Sequence, residues 1–356
     1  MLRRDLLKSA LASTAGALVL ASAGAADAGN ELESMAAELT KDLYANDGLV
    51  LPIPTIPTVS DLAKGRDRTL ALGGGGEYYL AWYCGFFHGL YHQGLDMNAL
   101  SEMVVGTSAG AYMGSSLTSG HFLRLRGEFE FFGHFPSLFS KLTPLSSSNA
   151  SQQRAVKLSA AAKDGEISTL QTIGRAALAA DNRVNGDAVS PRLIWMLTGD
   201  SKTDWPVAKI YTSAVDCYTG ERLIVSETAA RKNGISLARG AAASSSLPGV
   251  IGPTLLGQRY AMDGAICSNA AHVDVVAGSK RAIVITITDG TPPFYTGVPH
   301  RHADYIKQVE VTGTKVLWII ANPPTDISLL DPKQIEPALH RGYERAKTEA
   351  PKIKAF

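Results

Sequence analysis

Two short apolar runs in this chain each end in glycine and are followed at once by helical sequence. Thr69-Leu70-Ala71-Leu72 enters Gly73-Gly74-Gly75-Gly76, ahead of a helical, aromatic stretch from Leu80 to Gln93. Met103-Val104-Val105 enters Gly106-Thr107-Ser108-Ala109-Gly110, and a helix of small residues spans Ser108 to Leu117. Strands that are apolar without alternation are buried on both faces, and helices returning between them imply parallel neighbours. Further strand runs follow at Lys209–Val215, Arg222–Val225, Arg259–Met262, Ala282–Thr288 and Val316–Ile320. Helical patterns occupy most of Arg154–Asp181, then Ser236–Ser245 and Ile335–Lys347. The second and third of these helices border strand runs, so the expected fold is α/β, with a central, mainly parallel sheet flanked by helices. The pair around Cys217-Tyr218-Thr219-Gly220 reads as a hairpin.

At 356 residues and 45% hydrophobic, the chain buries a large core, which excludes disordered and collagen-like classes. Lys+Arg 34 against Asp+Glu 33 leaves no field to attract nucleic acid. No uncharged apolar run long enough to span a bilayer follows the first thirty residues. Cys84, Cys217 and Cys267 are too few and scattered for a disulfide framework or a zinc site, and read as small buried residues.

Residues 1–28 read as an export leader. Arg3, Arg4 and Lys8 precede a mildly apolar stretch from Ala10 to Leu20, and small-x-small cleavage candidates follow at Ala21-Ser22-Ala23 and Ala26-Asp27-Ala28. The paired arginines favour a twin-arginine signal over an ordinary secretory one, so an exported location, periplasmic or secreted, is expected. Residues 29–66 are expected to form an amphipathic helix (Glu31 to Tyr44) and a proline-rich, linker-like stretch (Leu49 to Ser60).

Gly106-Thr107-Ser108-Ala109-Gly110 fits G-x-S-x-G, and its strand–turn–helix setting is the one that pattern requires. Side chains at Gly106 or Gly110 would strike the adjoining strand and helix, while Ser108 is raised at the positive end of the helix that follows. The competing reading is a turn in which Ser108 merely caps that helix. Gly73–Gly76 fails as a dinucleotide loop, because Tyr78 stands where the third glycine belongs, and no Gly-Lys-Ser/Thr follows as a phosphate loop needs. What remains is a run of bare backbone N–H groups beside a helix start, suited to an oxyanion hole.

A base for Ser108 has two sources. Asp289 followed by His300 or His302 satisfies the chain order of a Ser-His-Asp esterase. Alternatively, Asp263-Gly264-Ala265 follows a strand, and Gly264 permits a tight turn that points Asp263 outward. An ordinary Asp-Gly hairpin turn has the same sequence. His88 and His92 share a helix face, but Gly89 stands where a zinc-hydrolase helix needs Glu, so they read as packing or surface residues.

Four landmarks occur in order: Gly73 to Gly76, Gly106 to Gly110, Ala243-Ser244-Ser245-Ser246-Leu247-Pro248-Gly249, and Asp263-Gly264-Ala265. Over residues 68–275 this resembles the patatin-like phospholipase family. The resemblance implies a three-layer fold and a metal-free serine lipid acyl hydrolase, of phospholipase A or esterase type, acting through a Ser-Asp dyad and an acyl-serine. It places the nucleophile on Ser108 and the base on Asp263. It assigns the oxyanion hole to the amides of Gly74, Gly75 and Gly76, with Ala109 assisting, and Gly106, Gly110 and Gly264 support the motifs. No cofactor is expected. The expected partner is a lipid or membrane-surface ester, with peripheral membrane contact. The catalytic region is expected over 67–325, with a C-terminal helix in 326–356.

The sequence departs from the family at Glu77-Tyr78-Tyr79, where a basic residue and glycine are usual, so the loop and its affinity for phosphate are expected to differ. That departure also leaves room for a non-catalytic, lipid-binding member of the fold. Between His121 and Phe139 lie six of the ten phenylalanines, read either as a core helix or as an acyl-chain wall, and Pro144 to Ser148 read as a surface connection.

Overall fold

The computed structural model describes residues 46–142, 149–182, 184–198, 204–291 and 296–356. The expected leader, the helix over Glu31–Tyr44 and the Pro144–Ser148 connection lie outside them.

The strands are β1 (Arg68–Leu72), β2 (Met103–Gly106), β3 (Ile210–Asp216), β4 (Arg222–Val225), β5 (Thr254–Leu256), β6 (Arg259–Asp263), β7 (Arg281–Thr286) and β8 (Lys315–Ile320). They form one sheet in the order β5-β6-β3-β2-β1-β7-β8, with β4 paired to β3 off this path. β3, β2, β1, β7 and β8 run parallel, whereas β4 and β6 pair antiparallel to β3, and β5 to β6. The sheet is therefore mainly parallel.

The helices are α1 (Gly76–His92), α2 (Met97–Leu100), α3 (Ala109–Thr118), α4 (Phe122–His134), α5 (Pro136–Leu142) and α6 (Ala150–Ala161). They continue as α7 (Ile167–Ala179), α8 (Gly186–Leu197), α9 (Glu227–Asn233), α10 (Leu237–Ser244), α11 (His302–Val311) and α12 (Ile335–Ala355).

Strand alternation divides the core into two layers. Leu70, Leu72 and Val104 face Trp82, Phe86 and Met113 of α1 and α3. Ala71, Met103 and Val105 face Val273, Val276 and the α11 residues Ile306 and Val309. Against the outer side of α1 lies α12, and the two helices cross at glycine. A Cβ on Gly85 would meet the Leu339 carbonyl at 1.9 Å, and one on Gly342 would meet the Trp82 carbonyl at 2.0 Å. α12 runs eight residues beyond its expected end at Lys347.

Two expectations need correction. The proline-rich stretch is not free of the domain: Leu51 donates its N–H to the Arg222 carbonyl, and the Ile224 N–H donates to Leu49, so 49–51 extends the sheet beside β4. The aromatic helix starts at Gly76 rather than Leu80, which makes Glu77-Tyr78-Tyr79 a buried first helical turn instead of loop. All three cysteines are buried and unpaired. Among the described residues, no helix is long and apolar enough to cross a membrane, and no cluster of His, Cys, Asp and Glu is arranged to hold a metal.

Candidate active site

Parallel strands direct their carboxyl ends to one edge of the sheet, and pockets form where successive connections leave in opposite directions. Here that place is β1, which lies between β2 and β7. The glycine run leaves β1, and the serine turn leaves the adjacent β2.

Ser108 has φ 52° and ψ −119°, a region a non-glycine residue occupies at a cost of about 1–3 kcal/mol. The flanking glycines make the turn sterically feasible. A Cβ on Gly110 would lie 2.1 Å from the Leu72 carbonyl, and one on Gly106 would lie 2.5 Å from the Gly110 carbonyl. Gly74 approaches from β1 so closely that a Cβ there would fall 2.8 Å from the Ser108 Cβ. Space at Gly74 and a positive φ of 66° at Gly76 are both beyond an ordinary residue. The run is anchored at Gly73, whose N–H donates to Ile285 and whose carbonyl accepts from the Tyr83 hydroxyl. Among the described residues, no protein acceptor takes the amides of Gly74, Gly75, Gly76 or Ala109.

Asp263 closes β6, two strands from β2, opposite Ala214 of β3. One carboxyl oxygen accepts the Ala265 N–H at 2.8 Å. Gly264 opens the expected tight turn, without a positive φ; a Cβ would meet the Ser213 hydroxyl at 2.4 Å, so the glycine is needed for space. Burial lifts the Asp263 pKa from 3.8 to about 7, against the pull of the Ala265 amide and of the nearby Ser108 hydroxyl. The two candidates, 155 positions apart in sequence, thus meet.

The serine run at the end of α10 holds the two segments in place. The Ser244 hydroxyl accepts the Ser108 N–H at 2.8 Å, and the Ser246 carbonyl accepts the Asp263 N–H at 3.0 Å. Ser246 Oγ also pairs with Thr254 of β5. Sequence reasoning noted this run only as a landmark. Three successive serines after an alanine helix were the available signal, but their partners arrive from two other motifs.

Ser108, Asp263 and Gly73–Gly76 line a cavity of about 560 Å³, within the range of small-molecule sites. Phe129 and Phe132 of α4 and Phe139 of α5 form part of its apolar wall, and Phe129 and Phe139 are buried in the core as well. On the rim or outside it, Leu123, Phe131, Phe135, Leu138, Leu142 and Trp195 remain exposed.

His300 and His302 also line the cavity. His300 Nε2 is engaged by the Ala265 carbonyl at 3.0 Å, and burial pushes His300 to about 4 and His302 to about 3. Asp289 accepts from the amide and hydroxyl of Thr291, at 3.0 and 2.7 Å. The alternative Ser-His-Asp set therefore has histidines whose protonated form is disfavoured, and its acid has its own partners. His88 and His92 lie elsewhere, against Tyr343 of α12.

The family model for patatin-like phospholipases matches residues 70–275, more than half of the chain. The chain belongs to the patatin-like phospholipase family. The central, mainly parallel sheet with flanking helices is the fold that membership implies, and lipid acyl hydrolysis is the family's general activity. Among solved structures, the chain is similar to VipD from Legionella pneumophila at 12% identity and a TM-score of 0.41, covering 85% of this chain and 71% of that one. No curated protein matches it.

Proposed function

We propose that this patatin-like protein hydrolyses carboxylic esters of lipids through a Ser108–Asp263 dyad. The observation that carries the reading is the Ser108 hydroxyl in one cavity with a buried, basic carboxyl close enough to feel it, beside unspent backbone amides. Asp263 takes the hydroxyl proton as Ser108 attacks the ester carbonyl. An aspartate at 3.8 would be a poor base for a hydroxyl; one at about 7 is better matched to working pH. The carbonyl oxygen gains charge at the amides of Gly74, Gly75 and Gly76, with the Ala109 N–H at the start of α3 assisting. Donors fixed in the backbone need no reorganisation as that charge appears. Collapse gives acyl-Ser108 and the free alcohol, which leaves with the proton from Asp263. Asp263 then takes a proton from water as the water attacks the acyl carbon; the bond to Ser108 Oγ breaks, the proton returns to Oγ and the carboxylic acid leaves.

The apolar cavity suits an acyl chain, and the exposed Leu123, Phe131, Phe135, Leu138, Leu142 and Trp195 support peripheral contact with a lipid surface. The basic leader supports an exported location. The catalytic unit is read as 67–325, with α12 in the 326–356 segment bracing α1.

A fluorophosphonate probe on the folded protein tests the reading, together with hydrolysis of a short p-nitrophenyl ester and of phospholipid vesicles. Covalent labelling and hydrolysis are expected, and both disappear in Ser108→Ala. Hydrolysis that survives the substitution rejects the scheme.

A further inference from the structure

One buried acid in the cavity has no part in that chemistry. Glu77 occupies the first turn of α1, directly after Gly76, and is 9% exposed. Its own backbone N–H draws on the carboxyl. One oxygen, Oε2, is buried without a hydrogen-bond partner among the described residues. A buried acceptor left unpaired is unfavourable, so its presence in an apolar wall needs a reason. A glutamate in a first helical turn is favoured by the helix field, but that field acts equally on an exposed carboxylate and does not require this one to be buried.

We propose that Glu77 is a specificity-determining residue that turns the site away from esters carrying a negative charge near the scissile bond and toward uncharged acyl esters. The inference rests on the hydrolase reading above. A substrate whose carbonyl oxygen sits on the Gly74–Gly76 amides has its reacting carbon beside the next residue in the chain. A phosphodiester a few bonds from that carbon then enters the range of the Glu77 carboxyl, inside walls that screen charge poorly. A hydroxyl at the same place instead supplies the donor that Oε2 lacks.

The other ionisable groups lining the cavity are Tyr112 of α3, Glu128 of α4, Lys141 of α5, Asp263, His300 and His302. Tyr112 feels both Asp263 and Glu77, and its hydroxyl is paired with Ser245. Burial holds both histidines neutral. Glu128 is paired with Arg124, and Lys141 sits with the exposed end of α5. Burial also lifts Glu77 from 4.5 to about 7, so its charge develops across neutral pH. Asp263 ionises over the same range, which is why the test compares variants and not pH values alone.

The test uses two soluble substrates with matched acyl chains, dihexanoyl phosphatidylglycerol and dihexanoylglycerol, with Ser108→Ala as background. The quantity read is the ratio of kcat/KM for the neutral ester to that for the anionic ester. In the unaltered protein the ratio is expected to favour the neutral ester at pH 8.5. In Glu77→Gln and in Glu77→Met, the latter matched to the apolar wall, it should fall about tenfold at pH 8.5, equivalent to about 1.4 kcal/mol, and less at pH 6. A merely structural Glu77 would change both rates together and leave the ratio alone. A ratio within about twofold of the unaltered protein in both variants overturns the proposal, and so does an unaltered protein that prefers the anionic ester at pH 8.5. Absence of any Ser108-dependent hydrolysis removes the hydrolase reading, and this inference with it.

Discussion

Asp263 and Glu77 are two carboxyls in one cavity, and burial carries both to about 7. They differ in what surrounds them. Asp263 ends a strand, its N–H is held by Ser246, and its side chain meets the Ala265 amide and the Ser108 hydroxyl. Glu77 stands in the first turn of α1, with one buried oxygen that has no hydrogen-bond partner among the described residues. A raised pKa by itself therefore marks burial, not a role. A role follows from the groups within reach, and of the two acids it is Asp263 that feels the Ser108 hydroxyl.

Asp263→Asn offers the largest separation of the two acids. Removing the base should lower kcat for neutral and anionic esters alike, by about 10²–10⁴-fold. If Asp263→Asn instead shifted the ratio between esters and spared the rate, the roles assigned to the two acids would be reversed. Next in size is the pH dependence of the rate. An Asp263 that must be ionised makes kcat/KM for a neutral ester rise with pH around a midpoint near 7, and fall away in acid. A profile with its midpoint near the ordinary aspartate value of 3.8 would place the base in water and break the desolvation argument.

The smallest effect is on stability, and there the two acids act together. Each folded carboxyl holds a proton that the unfolded chain releases above 3.8 for Asp263 and 4.5 for Glu77. Stability is therefore greatest below those values and declines as pH rises toward 7, by roughly 1.4 kcal/mol per pH unit per group in that window. Denaturant melts of Asp263→Asn and Glu77→Gln should each show a shallower decline between pH 5 and 7. Equal slopes in all three proteins would mean that neither carboxyl is desolvated in the native state.

The parallel core was legible because its strands are apolar runs and the first two, β1 and β2, run into glycine ahead of a helix. The serine turn was legible for the same local reason: Gly106 and Gly110 are required by contacts within a few residues of Ser108 or on the neighbouring strand. Asp263 was only half legible. Its Asp-Gly-Ala motif has an ordinary hairpin reading, and family resemblance chose the other. Gly264 opens the expected tight turn, but what requires glycine there is the Ser213 hydroxyl on β3, a contact the sequence does not display. Placing Glu77 to Tyr79 in a loop failed because helix α1 starts at glycine, a residue that seldom marks a helix start in sequence.

By itself, then, the chain's sequence determined its layers, its strand ends and the turn that presents Ser108, since each depends on residues that are near neighbours in the chain or repeat with the period of a strand or helix. Tertiary structure decided which acid meets that serine, why Ser244 and Ser246 matter, and that Glu77 is enclosed. Those properties depend on separations between segments far apart in the chain and on exclusion of water, and neither exists until the sheet has assembled.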